Sequence, residues 1–168
     1  ERIERHYDYS YLASRYILDF HSKHIIERHI TDFDYELKYK SNFESYIKKG
    51  IEEFTLNNDF LKFDLKKLSK ALIIKNDLKF KYLGIQILLD RYLLRDRSTD
   101  RNIYELPQWF WMRVAMGLAL NEENKEDRAI EFYQVLSNMD FISSTPTLFN
   151  SGTTHSQMSS CYINISED

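Results

Sequence analysis

The sequence predicts a mainly α-helical, multi-helix domain that carries a small β-hairpin and ends in a strand. Three observations carry this reading. Apolar residues recur at helical spacing through most of the 168 residues, only four glycines and two prolines interrupt them, and near the carboxyl end the pattern turns to alternation. Twelve tyrosines and eleven phenylalanines suit bulky packing between helices.

Asp8 or Ser10 is placed to cap a first helix, in which Leu12, Tyr16, Phe20 and His24 follow one another at i+4 spacing. Residues 30–37 break that rhythm and read as a connection. A second helix is expected over 41–54, with Phe43, Ile47, Ile51 and Phe54 on one stripe and lysines and glutamates opposite. Asn57-Asn58-Asp59 is a turn, and Asp64 starts a short helix that runs through Leu72. A stronger helix over 80–90 presents Tyr82, Leu83, Ile85, Ile87 and Leu88. The runs 92–96 and 102–105 flank the polar turn 97–101 and predict the hairpin. Pro107 suits a first helical turn, and 109–120 continues as a largely apolar helix whose Trp109, Met112, Met116 and Leu120 ridge should be deeply buried. Asn124 is placed to cap a last helix over 125–138, with Ile130, Phe132, Tyr133 and Leu136 apolar. Helical periodicity ends after Phe141, and 157–165 alternates in the manner of a strand. A lone strand needs ladder partners, which must come from outside these residues or from another chain.

Composition narrows the function. Net charge is -3 with both signs interspersed, which argues against a nucleic-acid groove or an anionic-membrane surface. No apolar run is long enough to span a bilayer. A single cysteine forms no internal disulfide, which favours a reducing, cytoplasmic setting. The chain opens on Glu1 and stops at Asp168 just after an apparent strand, so it reads as a piece of a longer protein.

The chemistry concentrates in the tail, Ser144-Thr145-Pro146-Thr147-Leu148-Phe149-Asn150-Ser151-Gly152, followed by Gln157-Met158-Ser159-Ser160-Cys161. Hydroxyls and backbone amides outside regular structure suit phosphate oxygens, and the hydroxyls of Thr145, Thr147, Ser159 and Ser160 are donors of that kind. A thiol beside them suits redox or nucleophilic chemistry. An isolated cysteine is ordinarily a small buried hydrophobe, and isolated hydroxyls ordinarily stabilise turns. The residues alone leave both readings open. His21 and His24 lie three apart on a helix, but no carboxylate-x-x-His motif accompanies them, so no metal site is expected. His155 reads as a solvent-facing loop residue, and the Trp109-Phe110-Trp111 cluster reads as core.

This tail, together with Tyr92-Leu93-Leu94-Arg95-Asp96, Tyr104-Glu105-Leu106-Pro107-Gln108 and Met112-Arg113-Val114-Ala115, resembles the large, catalytic subunit of class I ribonucleotide reductase. The resemblance implies an all-helical domain over 1–141, then a substrate loop and the first strand of a ten-stranded α/β barrel over 142–168. It implies that Cys161 is a redox-active catalytic residue, paired with a cysteine further along the barrel. Thr145 and Ser160 match positions that contact the bound ribonucleotide, and Asp168 falls where the loop for the specificity effector begins. The implied reaction reduces ribonucleoside diphosphates to deoxyribonucleoside diphosphates. Its radical comes from a separate, metal-containing small subunit, thioredoxin or glutaredoxin is the reductant, and the large subunit is a homodimer controlled by ATP and deoxynucleoside triphosphates. These residues by themselves bind no cofactor and should turn over nothing.

Two other readings stay open: a self-contained helical interaction module with the tail as a docking strand, and the amino-terminal piece of a naturally split reductase. The helical di-iron small subunit is excluded, because it needs repeated Glu-x-x-His ligands that the chain lacks. Glycyl-radical and cobalamin-dependent reductases share the barrel, and the helical domain favours class I only by degree.

Overall fold

Helix α6, Pro107–Leu118, is the axis of the domain. Every residue from Pro107 to Met116 is buried, Gln108 and Arg113 included. A helix buried on all sides must be covered by other elements. In the computed structural model, which describes residues 6–161 and residue 163, seven further helices complete the domain among the described residues. They are α1 (Asp8–Ile26), α2 (Tyr35–Ser41), α3 (Phe43–Glu52), α4 (Leu65–Ala71), α5 (Tyr82–Ile87), α7 (Lys125–Ser137) and α8 (Thr145–Asn150). Tight 3-10 turns at Asn58–Lys62 and Ile74–Lys79 and a π turn at Leu88–Tyr92 join them. Helix α7 lies along α6, α1 lies along α5, and α4 bridges α3 and α7. No helix among the described residues is long and apolar enough to cross a membrane.

The fold is mainly helical, as the sequence predicts. Asp64 caps α4 as expected, its side chain accepting from the Lys67 amide at 3.0 Å. Asn57 likewise accepts from the Asp59 amide in the predicted turn. Trp109, Met112 and Met116 are buried, although α6 stops at Leu118 and leaves Leu120 only half-buried.

Helix α1 forms where the i+4 series predicts a helix, with that series facing solvent: Leu12, Tyr16 and Phe20 are 62%, 75% and 53% exposed. Its buried face is a second i+4 series, Ser14, Leu18, Ser22 and Ile26. The serines allow a close approach and satisfy buried partners, Ser14 Oγ donating to the Phe80 carbonyl at 2.7 Å and Ser22 Oγ meeting Tyr35 Oη at 2.9 Å. The expected connection at 30–37 and the helix over 41–54 resolve into α2 and α3, and Phe54 sits beyond α3 at φ 55°, exposed. The segment after Phe141 is not entirely irregular, because Thr145–Asn150 forms α8 with Pro146 in its first turn.

At the expected hairpin, Arg95 and Ile103 form one antiparallel bridge, with Asp96 N donating to Asn102 O at 2.9 Å and Tyr104 N to Leu94 O at 3.2 Å. No strand extends from it among the described residues. Gln157 to Cys161 is irregular, and Tyr162, Asn164 and Ile165 of the expected strand lie outside the described residues.

A buried acid ties four elements together. Asp77 accepts from Tyr39 Oη at 3.1 Å and from Gln108 Nε2 at 2.6 Å. Tyr39 Oη in turn accepts from the Gln108 amide at 2.9 Å, and Tyr133 Oη donates to Gln108 Oε1 at 2.6 Å. No cation meets the carboxyl in this network. Burial pushes it up to about 7, and the bonds from Gln108 and Tyr39 offset only part of the shift. The folded state therefore keeps a proton that the unfolded chain, titrating near 3.8, releases first. Stability from this site is fully present below that lower value and is lost as pH rises toward 7, by at most about 1.4 kcal/mol per pH unit. Denaturant titrations between pH 4 and 7.5 should show this decline in the wild type and a flatter profile in Asp77→Asn. Parallel profiles would remove Asp77 as its source.

Candidate functional site

The segment from Thr145 to Cys161 is held to the helical core at its middle. Gly152 has φ 77°, a left-handed conformation that favours glycine, and a Cβ there would lie 2.4 Å from Phe60 Cζ and 2.8 Å from the Arg113 carbonyl oxygen. Gly117 faces it across the contact, where a Cβ would lie 2.2 Å from the Gly152 nitrogen. Two glycines thus let two backbones touch. Around them, Asn57 N donates to Gly152 O at 3.0 Å, Thr154 N to Thr55 O at 3.1 Å, and Ser151 Oγ to Val114 O at 2.8 Å.

Below this contact lies an ion pair with both side chains fully buried. Arg113 Nε donates to Glu105 Oε1 at 2.7 Å and Nη2 to Oε2 at 3.3 Å. Tyr46 Oη donates to Oε1, and the Leu94 amide to Oε2 at 2.9 Å. Burial opposes charge on Arg113, but the Glu105 carboxylate outweighs it and holds the guanidinium above its usual range. Burial pushes the Tyr46 hydroxyl well up, and the Glu105 charge pushes the same way, so Tyr46 stays a proton donor. The remaining edge of Arg113 meets the carboxyl-terminal segment: Nη1 donates to Ser151 O at 2.8 Å and lies 3.5 Å from the carbonyl oxygens of Leu148 and Phe149.

Among the residues predicted for the site, Thr145 is exposed at the start of α8, its Oγ1 3.4 Å from Tyr92 Oη. Tyr92 also stacks on Phe149, with ring centroids 4.8 Å apart. Thr145 borders a cleft of about 620 Å³ that is also lined by Arg97, Phe149, Asn150, Thr154 and His155. Ser160 and Cys161 are exposed and adjacent, Ser160 Oγ lying 3.9 Å from Cys161 Sγ. They do not line that cleft, but the chain leading to them is tied to α8. Thr147 Oγ1 donates to Met158 O at 3.3 Å, and Asn150 Nδ2 to Gln157 O at 2.5 Å. Asp168 lies outside the described residues. No group of three or more His, Cys, Asp or Glu placed to hold a metal occurs among the described residues.

Sequence reasoning gave no role to Arg113, which lies in a matched motif, or to Tyr92. The available signal was an arginine within the apolar run 109–116, where an unpaired charge would be prohibitive.

Residues 78–156 match the family described as ribonucleotide reductase, all-alpha domain. Over nearly its whole length the chain is similar to subunits of one kind. It is 45% identical to the ribonucleoside-diphosphate reductase subunit alpha of Chlamydia muridarum over 99% of this chain, and 40% identical to that of Helicobacter pylori over 96%. It is also 41% identical, over 58% of its length, to the large subunit of Monkeypox virus. The chain spans 16% of the chlamydial relative, 19% of the Helicobacter relative and 12% of the viral one. The fold is thus that of a ribonucleotide reductase helical domain. The chain belongs to the ribonucleotide reductase large-subunit family.

Gly152→Ala combines a steric clash with a strained φ, and Gly117→Ala drives a methyl group into the Gly152 backbone. Each should lower stability by about 2–4 kcal/mol. Thermal unfolding of either variant at the wild-type midpoint would contradict this packing.

Proposed function

We propose that the chain supplies the helical domain and the first substrate-facing segment of a ribonucleoside-diphosphate reductase. The domain division is 1–141 for the helical part and 142–168 for the segment that opens the catalytic barrel. Thr145 and Ser160 contact the ribonucleotide, Cys161 is one of two redox thiols, and Asp168 belongs to the effector loop. The single observation that carries this reading is the similarity to alpha subunits over 99% of the chain, which runs through Thr145, Ser160 and Cys161. The tie between α8 and residues 157–158 supports it, because it places the carrier of Thr145 beside the chain that leads to Cys161.

In the proposed reaction Cys161 and a second thiol, beyond these residues, together give two electrons and two protons. The ribose 2′-hydroxyl leaves as water, C2′ gains hydrogen, and the two sulfurs close to a disulfide. A dithiol protein of the thioredoxin or glutaredoxin class then reopens it. The partners are a ribonucleoside diphosphate, a radical-generating small subunit, and a second large subunit. ATP and deoxynucleoside triphosphates act as effectors, in the cytoplasm. Thr145, exposed at the start of α8, offers a neutral donor to a phosphate or ribose oxygen.

In the full-length protein, Cys161→Ser should abolish multiple turnover with a dithiol reductant while nucleotide binding stays near wild type. Undiminished turnover would refute its role. Thr145→Ala should weaken nucleoside-diphosphate binding by about 1–3 kcal/mol, as expected for one lost hydrogen bond to a charged group. Unchanged affinity in equilibrium binding would return Thr145 to the status of a turn residue.

A further inference from the structure

We propose that Arg113 is a positioning residue for substrate: from the buried core it sets the placement of α8 and therefore of the Thr145 hydroxyl. This rests on the reading of Thr145 given above. Helix α8 has six residues, too few to hold its shape alone, and its last carbonyls have no partners within the helix. Those of Leu148 and Phe149, with that of Ser151 just beyond, converge on Arg113 Nη1. A cation at a helix carboxyl end also matches the sign of the helix dipole.

The guanidinium is fixed while it does this. Its other edge grips Glu105 through two nitrogens, and that carboxylate is held by Tyr46 and by the Leu94 amide. Leu94 lies two residues beyond Tyr92, the ring that stacks on Phe149 and reaches Thr145. One carboxylate therefore references both approaches to α8, the guanidinium side and the tyrosine side. Within α8, Thr147 and Asn150 pass the same placement on to the carbonyls of residues 158 and 157. A lysine at 113 retains the charge but has no planar fork, so it holds either Glu105 or the carbonyls.

The test is steady-state kinetics and nucleoside-diphosphate binding in the full-length protein with its small subunit. Arg113→Lys should raise KM and Kd by about tenfold, with a smaller change in kcat. A control, Leu68→Ala, removes a buried side chain from α4, away from α8, and should lower the melting temperature while leaving KM at the wild-type value. Wild-type KM in Arg113→Lys, or an equal rise in the control, overturns the positioning role. Should Arg113→Lys fail to fold, Ser151→Ala cuts a second anchor of the same segment and should raise KM in the same direction; no rise there overturns the proposal as well. Thr145→Ala run alongside separates the two claims. Normal KM in Thr145→Ala rejects the substrate reading itself, whereas a raised KM there with normal KM in Arg113→Lys rejects only the positioning by Arg113.

Discussion

The bidentate pair between Arg113 and Glu105 imposes a condition that the surrounding structure meets. Neither side chain retains contact with water, and removing one member of such a pair costs about 3–5 kcal/mol because the survivor is stranded. The solution here is complete satisfaction. Glu105 receives Arg113 twice, Tyr46 and the Leu94 amide, so both oxygens are doubly engaged. Arg113 spends its remaining edge on carbonyls 35 to 38 residues away in sequence and lies over the Phe110 ring, 5.2 Å from its centroid. Helix α3, the 92–105 loop, α6 and the 148–151 segment must therefore all be in place before either charge is comfortable. The pair makes the carboxyl-terminal segment part of the helical core's cooperative unit.

Helix α6 carries a second polar anchor of a different kind. Gln108, near its amino end, joins Asp77, Tyr39 and Tyr133 through neutral donors and acceptors. With no cation present, burial pushes the Asp77 carboxyl up to about 7, whereas the buried Glu105 is met by the Arg113 guanidinium. The two networks sit five residues apart on one helix and fix its rotation and height. Apolar packing alone specifies these less sharply, since hydrophobic side chains of similar size can exchange places.

These anchors explain which parts of the fold were legible in sequence. Helices α6 and α7 were readable because each runs three turns or more with a sustained apolar pattern, and α4 because Asp64 is a local cap that needs no tertiary information. Helix α1 was readable as a helix from its i+4 spacing, but its buried face was not, because it has two rival i+4 series. The bulky one, Leu12, Tyr16 and Phe20, is exposed and the serine-containing one packs. Helix α8 was hidden because six residues give less than two turns of periodicity, and Thr-Pro-Thr followed by Asn-Ser-Gly matches turn chemistry better than helix chemistry. In the candidate site, the hydroxyl cluster and the cysteine were visible as residue types. The arginine beneath them was visible only as an oddity, since its partners are set by tertiary structure.

The structure also sorts that hydroxyl cluster, which sequence alone leaves as one group. Ser151 donates to Val114 O, Thr153 to Asn150 O, Thr154 to Phe54 O and Thr147 to Met158 O, so these hydroxyls hold the segment in shape. Thr145 and Ser160 have only long contacts, 3.4 Å to Tyr92 and 3.9 Å to Cys161, and both are exposed. A recognition hydroxyl needs both properties at once: its own lone pairs and proton uncommitted to strong internal bonds, and a backbone that does not move when a ligand arrives. In the substrate role proposed for Thr145, the second property comes from the first group of hydroxyls and from Arg113. The division of labour within one short segment is therefore physical, with the strongly bonded hydroxyls serving as framework for the weakly bonded ones.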